Sequence, residues 1–454
     1  MLMNIVIVGG GTVGSAICAQ LALEDHDVTI VDADPDSLAE IANSCDVFGV
    51  VGNGAELSVL RKAGAENAEL LIAVSPDDEI NILCCAAAKK LGTSHTVARV
   101  RNPEYTELMR LLQSEMNLSF TINPELAAAK EIYRLLRFPS AAKIDTFCHG
   151  KVELAEITVA ADSPLCGLTL IDLRKKLSTR FLVCGVLRDG EAYIPAGDFL
   201  IRAGDTIGVT APDKEIAKFF KEIGVYKNPI KNVLIVGGGR TTYYLEQMLK
   251  EGKIKSTVVE RDAELCEELA NDYRDCTVIC DNGTRQETLL EAGIDRADAF
   301  LALSDVDEEN AIISMYAKTR EVSKIITMIS RISYVDFFKS AGLESIVSPR
   351  SSTASYILRY VRSMANSADS SAIESLHKIM NDRIEALELS VKDDIPELTN
   401  LPLKRLRPRA GVLIACIVRG GDVIIPGGDD CITKGDSVII MSTGNRINSL
   451  KDII

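Results

Sequence analysis

The 454-residue sequence predicts an α/β fold in tandem: two doubly wound parallel-sheet domains, each followed by a small α+β domain. Three observations carry this reading. Residues 5–14 (IVIVGGGTVG) and 233–242 (VLIVGGGRTT) repeat one apolar run that ends in three glycines. Landmarks recur at nearly constant spacing: Gly9 and Asp32 return as Gly237 and Glu260 at an offset of 228, Ser75 and Asn81 as Ser304 and Asn310 at 229, and Arg188 and Pro195 as Arg419 and Pro426 at 231. Within each copy, short β-branched runs alternate with helical patterns before giving way to a strand-rich stretch. An offset that drifts by so little is the trace of a duplication with a few short loop insertions.

Taken in order, the first copy offers NIVIVG, DVTIVD, DVFGVVG, ELLIAV and TVAR as strands, and the second answers with NVLIVG, STVVE, CTVIC, DAFLALS and KIITMI. Runs this apolar, separated by segments such as SAICAQLAL and AELSVLRKAG, indicate strands buried on both faces and joined by crossover helices. Helical stretches follow, PELAAAKEIYRLLRF in copy one and SSTASYILRYVRSM in copy two, and bridge to the second part. There ELAEITV, FLVCGVLRDGEAYIP and DTIGVTA are matched by EALELSV, VLIACIVRGGDVIIP and DSVIIMS, with RDG and RGGD placed as hairpin turns. The helical end EIAKFFKEIG completes a small α+β module. The domains expected are residues 1–138, 139–228, 229–368 and 369–454.

Composition narrows the function classes. With 50 Lys plus Arg against 65 Asp plus Glu, the net charge of −15 argues against nucleic acid or anionic lipid held by a general basic surface. The start, MLMNIVIVGG, lacks a basic n-region and a small-residue cleavage site, so no signal peptide is expected. No apolar run approaches the roughly 18 residues of a membrane span, which predicts a soluble protein. The 12 cysteines contain no C-x-x-C, and the four histidines (His26, His95, His149, His377) form no ligand pair. No metal site is expected, and the cysteines are read as reduced, small core residues of a cytosolic protein.

The chemistry starts at Gly9-x-Gly11-x-x-Gly14, which follows a strand, opens a helix and precedes Asp32 at the end of the next strand run. That context makes it the dinucleotide fingerprint of a Rossmann-like domain. Glycines permit the tight turn and the approach of pyrophosphate to the backbone, and the helix N-terminal amides supply partial positive charge. Asp32 accepts from an adenosine ribose, and its charge repels a 2′-phosphate. Asn53, Ser75-Pro76 and Asp77 to Glu79 follow later strand runs, where ligands of open α/β sheets sit. For Ser75, Asp77 and Asp78 a helix N-cap role is at least as good a reading. Arg99 ends the fifth strand and is a candidate phosphate partner.

The second copy departs from the fingerprint. Its turn reads Gly237-x-Gly239-x-x-Thr242, so a β-branched residue replaces the third glycine, and Met328 stands where Arg99 does. Glu260 keeps the ribose acid, and Arg240 adds a cation inside the turn. The expectation is a nucleotide site of altered preference, for ADP or ATP, or a turn retained for structure.

Enzymatic motifs are missing. No tyrosine is followed by Lys four residues later, and there is no G-x-x-x-x-G-K-[ST] loop and no G-x-S-x-G elbow. No catalytic residue is therefore assigned, and binding without turnover is the simpler reading.

GGGTVG, VDAD, GNGAELSVLRKAGAENAELLIAVSPDDEIN and ARVRNPEY resemble the nucleotide-binding domain of the regulators of potassium conductance (RCK). R-D-G-x-x-x-I-P with a later G-D, at Arg188 to Asp205 and again at Arg419 to Asp436, resembles the small C-terminal domain of the same family. The N-C-N-C order over the whole chain is similar to that of the cytosolic subunits of Trk-type potassium-uptake systems. The resemblance implies a regulatory subunit, peripheral to the cytoplasmic face of the membrane. It would assemble as a homo-oligomeric, tetrameric ring on a potassium-translocating integral membrane subunit and gate it as nucleotides exchange. It implies NAD(H) contacts at Gly9, Gly10, Gly11, Thr12, Val13, Asp32, Ser75, Pro76 and Arg99, and matching positions for ATP, ADP or NAD(H) at Gly237, Gly238, Gly239, Arg240, Thr241, Glu260 and Ser304. The alternatives are an NAD-dependent oxidoreductase and a subunit of a different potassium transporter or antiporter.

Overall fold

The computed structural model describes residues 2–105, 119–224, 229–331, 334–365, 371–381, 383–444 and 447–454. By contact the chain forms two compact units: Met1–Lys130 with Gly239–Leu245 and Ser348–Val361, and the remainder.

The first unit is built on β1 (Asn4–Val8), β2 (Asp27–Asp32), β3 (Phe48–Val51), β4 (Leu70–Ala73), β5 (His95–Arg99) and β6 (Phe120–Ile122), in the order β3-β2-β1-β4-β5-β6. All pairings are parallel, as in Asn4↔Asp27 and Ile5↔Leu70. The five runs read as strands are β1 to β5, and β6 is a sixth that the sequence reading missed. Helices Thr12–Leu23, Pro35–Ser44, Leu57–Lys62 and Asp78–Leu91 make the crossovers. Val6, Val31, Leu71, Cys84, Cys85, Ala88 and Ala98 fill one core against them. Because β1 lies between β2 and β4, the order reverses at its C-terminal end, where the crevice of such a sheet opens.

The second unit repeats this sheet with β12 (Asn232–Val236), β13 (Lys255–Glu260), β14 (Thr277–Cys280), β15 (Ala299–Ala302), β16 (Lys324–Met328) and β17 (Ser345–Val347), ordered β14-β13-β12-β15-β16-β17. It also holds both small sheets. The first comprises β7 (Lys143–Phe147), β8 (Val152–Thr158), β9 (Leu182–Arg188), β10 (Glu191–Tyr193) and β11 (Thr206–Pro212), and the second β18 (Ser371–Ile379), β19 (Ile384–Val391), β20 (Val412–Arg419), β21 (Asp422–Ile424) and β22 (Ser437–Ser442). Their strand orders, β10-β9-β11-β8-β7 and β18-β19-β22-β20-β21, are the same order read from opposite ends. The two hairpin turns are as expected: Asp189-Gly190 and Gly420-Gly421 all have positive φ, the geometry of a two-residue turn whose twist matches its strands.

The RDG and GD residues of the small domains hold structure. Arg188 donates Nε and Nη2 to the two oxygens of Asp205, both at 2.7 Å, and Arg419 does the same to Asp436, both at 2.8 Å. Each aspartate also accepts from a backbone N–H, of Arg202 or Thr433. Burial alone would raise both carboxyls; the arginine fork and the N–H outweigh it and hold them below the ordinary value. The small sheets share a core that includes Phe147, Leu154, Cys184, Met380, Ile384, Ala415 and Met441. Its edges are tied by reciprocal carboxylates: Glu156 accepts from the Met380 N–H at 3.1 Å and Glu388 from the Cys148 N–H at 3.0 Å. Asp145 and His377 occupy corresponding positions and meet each other, Oδ1 to Nδ1, at 2.8 Å.

Candidate functional site

The first glycine turn is made by what its residues lack. Gly9 has φ +109°, and a Cβ there would fall 2.8 Å from the Ser75 nitrogen. A Cβ at Gly14 would fall 1.8 Å from the Gly9 carbonyl oxygen, so the helix opened by Thr12 and Val13 packs against the turn only because residue 14 is glycine. Around Gly11, by contrast, a Cβ would meet nothing, which leaves this stretch of backbone open to a ligand. No side chain caps the helix at Gly11, so its first-turn N–H groups form an anion-binding end.

Asp32 ends β2 beside this turn. One carboxylate oxygen accepts the Gly10 N–H and the other accepts the Asp34 N–H at 2.8 Å. Ser37 Oγ donates to the Gly10 carbonyl at 3.1 Å, fixing the turn from its other side. The Asn53 side chain turns its own loop, accepting from the Ala55 N–H at 2.9 Å.

The opposite wall is organised by a residue that sequence reasoning left without a role. Asn81 is fully buried; its Oδ1 accepts the Ser75 N–H at 2.8 Å, and its Nδ2 donates to the carbonyls of Ser75 and Arg99, both at 3.0 Å. It ties the end of β4 to the end of β5. Asp77 is the N-cap of the following helix, accepting from Ile80, as one reading had it. Asp78 is not a cap: it reaches across to the N–H groups of Arg101 and Asn102, both at 2.8 Å. Ser75 Oγ donates to the Asp77 carbonyl, shaping the turn rather than capping a helix.

Arg99 Nη2 donates to the Ser75 carbonyl at 2.5 Å, while its buried Nε has no partner. Burial, reinforced by Arg101, lowers this guanidinium to about 10, which keeps it a cation at neutral pH. Glu125 lies in the same cluster with Oε2 unpartnered; burial raises its carboxyl against the pull of Arg101, Arg99 and Arg240. Arg240 was read as a cation of the second turn, yet it belongs to the first unit, within electrostatic reach of Glu125. Tyr244, one helical turn on, accepts from Asn123 Nδ2 at 2.8 Å and donates to the Arg101 carbonyl at 2.9 Å. A nucleotide would find a glycine cradle without Cβ atoms, an acid at the end of β2 and an arginine with an unpaired N–H; these residues fit it.

The second unit repeats much of this framework. Gly237 has φ +104° and is as tightly backed, a Cβ falling 2.8 Å from the Ser304 nitrogen. Glu260 accepts the Gly238 N–H at 2.5 Å and the Arg261 and Asp262 N–H groups at 2.7 and 2.9 Å. Asn310 takes the part of Asn81, bonding Ser304 and the Met328 carbonyl. Asp307 takes the part of Asp78, accepting from Ser330 and Arg331. Met328 is buried and brings no charge where Arg99 brings one. Gly239, Arg240, Thr241 and Thr242 are grouped with the first unit, and Thr242 is fully buried.

Among the described residues, no group of three His, Cys, Asp or Glu is placed to hold a metal ion, and no helix is long and apolar enough to cross a membrane. His377 and Asp145, far apart in sequence, form a His–carboxylate contact, but inside the core shared by the small sheets, with Phe147 edge-on to the imidazole at 4.8 Å.

Comparison with known proteins gives consistent findings. Residues 5–119 and 233–349 match the TrkA-N domain, and residues 154–224 and 388–454 the TrkA-C domain. The chain is 32% identical over 452 residues to a protein named Trk system potassium uptake protein TrkA homolog from Archaeoglobus fulgidus, covering 99% of this chain and 100% of that one. It is 31% identical to the Trk system potassium uptake protein TrkA of Vibrio alginolyticus, covering 98% and 96%. In fold it is similar to the GsuK channel bound to NAD, with a TM-score of 0.64 at 19% identity, over 98% of this chain and 77% of that one.

Proposed function

This chain belongs to the TrkA family, and on that premise we propose that it is the nucleotide-sensing regulatory subunit of a Trk-type potassium-uptake system, a binding protein rather than an enzyme. The observation that carries the reading is the pair of glycine turns, each backed by the same asparagine bridge and facing an acid, yet furnished with different side chains. The first turn is the site for NAD(H), held by Gly9, Gly10, Gly11 and the N–H groups of Thr12 and Val13, with Asp32 on the ribose and Arg99 on phosphate; Ser75 and Pro76 line the wall. The second, at Gly237, Gly238, Glu260 and Ser304, takes a nucleotide of altered preference, ADP or ATP. The fold relative named as a channel bound to NAD supports a dinucleotide as the ligand.

The subunit sits on the cytoplasmic face of the membrane through its potassium-translocating partner, with domains at 1–138, 139–228, 229–368 and 369–454. Copies form a ring, for which two exposed apolar residues speak: Leu83 (58% exposed) and its counterpart Ile312 (67%) stand on corresponding helices. Nucleotides gate transport by population shift. Moving a ring from 1:99 to 99:1 takes about 5.5 kcal/mol of differential affinity, which several sites together can supply.

The experiment is potassium flux into vesicles holding the membrane subunit and this chain, with NADH, NAD, ATP or ADP added in turn. Flux that changes with the nucleotide, and loses its NADH response in Asp32→Ala, supports the reading. Flux indifferent to every nucleotide that binds contradicts it.

A further inference from the structure

Twelve cysteines were read as core residues, and all twelve are free thiols, but Cys280 departs from that pattern by ending β14 exposed to solvent. The parallel register sets it opposite Glu260, the acid of the second glycine turn. The helix Ala263–Asp272, which packs on the same sheet edge, lays a second thiol at this corner. Cys266 is 7% exposed, its Sγ donates to the Glu260 carbonyl at 3.4 Å, and the N–H of Asp281, the residue after Cys280, donates to the same carbonyl at 2.9 Å. The first copy has Leu38 and Val51 at the corresponding positions, so the pair belongs to the second turn alone.

We propose that Cys266 and Cys280 are a reversible disulfide site, closed by exchange with a low-molecular-weight disulfide of the glutathione type. In the first step the exposed Cys280, as thiolate, attacks one sulfur of the oxidant; the protein–glutathione bond forms, the oxidant S–S bond breaks and one glutathione thiolate leaves. In the second, Cys266 loses its proton and attacks the Cys280 sulfur, expelling the second glutathione. Two protein thiols are oxidised and one disulfide is reduced to two thiols. The order follows from exposure: burial, with the neighbouring Cys280, raises the Cys266 thiol to about 12, so it is the resolving partner, not the entry point. The bond would join the start of the helix to the end of β14 around Glu260, whose carboxylate is held by the N–H groups of Gly238, Arg261 and Asp262. Oxidation would therefore reach the second nucleotide site without touching the first.

The test is incubation of the full-length protein with oxidised glutathione, an alkylating quench, and intact-mass and peptide mapping. The expected product, quenched under denaturing conditions, carries two fewer alkyl groups than the reduced control, with the Cys266 and Cys280 peptides linked and released again by dithiothreitol. Cys280→Ser, at an exposed strand end, should not react at this corner, and Cys276→Ser should close normally. Cys266→Ser should stop at the glutathione adduct on Cys280, which also shows that the corner is intact without the disulfide. Wild-type protein that stays fully reduced, accumulates a stable adduct on Cys280, or links other cysteines would overturn the proposal.

Discussion

At the end of β1 a glycine at position 14 lets a helix close onto a glycine turn, and Arg99 waits with an unpaired N–H. At the end of β12 the backing is the same, but Thr242 and Met328 stand in place of Gly14 and Arg99. Four features that position the backbone were kept: the positive-φ first glycine, the acid on the second strand, the asparagine bridge and the aspartate across the sheet edge. What changed are the glycine that lets the helix close on the turn and the cation at the end of the fifth strand. Duplication here preserved most of a frame and changed two positions that are buried in the second copy.

The most severe way to break the contrast is to give the first turn the second's sequence. Gly14→Thr puts a side chain where a Cβ would fall 1.8 Å from the Gly9 oxygen. Overpacking of this kind costs about 1–3 kcal/mol, so NADH affinity at the first site should fall by about 5- to 150-fold; calorimetry that finds affinity unchanged would show that the close approach is dispensable. Next comes Arg99→Met. Loss of a hydrogen bond to a charged group is worth about 1.5–3 kcal/mol, so phosphate-bearing ligands should weaken by at least about tenfold at the first site only.

The shared frame predicts equal effects instead. Asn81→Ala and Asn310→Ala should each destabilise by about 1–3 kcal/mol, because each strands buried backbone groups. Unequal melting shifts in scanning calorimetry would mean that the two frames are not energetically alike. The smallest effect concerns pH. Asp205 and Asp436 are held below their unfolded value, so their contribution is whole above the ordinary carboxylate range and is lost as pH falls through the lower folded value. Acid titration of Arg188→Leu and Arg419→Leu should shift the unfolding midpoint upward in pH by similar amounts; no shift in either would remove the clamps from the account.

The strands β1 to β5 and β12 to β16 were legible as continuous β-branched runs; burial on both faces holds for the central strands β1, β4, β12 and β15, whereas the edge strands β3 and β14 are largely exposed. The three-residue strands β6 and β17 were not, since so short a run has no period to read. Within the site, Gly9, Gly11, Gly14 and Asp32 followed from a local pattern with a fixed mechanism. Asn81 and Asn310 stood out as a repeated pair, but their role needs the ends of two strands to be neighbours. The same holds for Asp78, whose partners at Arg101 and Asn102 outcompete its local use as a helix cap, and for Glu125 beside Arg99. His377 and Asp145 show the reverse: a pairing that would have suggested chemistry in sequence is a part-buried polar tie between the small sheets, edge-on to Phe147 of their shared core.

Calorimetric titration of the full-length protein separates two turns that hold different nucleotides from two that hold the same one. NADH, NAD, ATP and ADP are titrated into wild type, Asp32→Ala and Glu260→Ala. Asp32→Ala should lose NADH binding, while ATP or ADP binding should be lost only in Glu260→Ala. Loss of every nucleotide in one variant and of none in the other would contradict this division, as would a wild type that binds none.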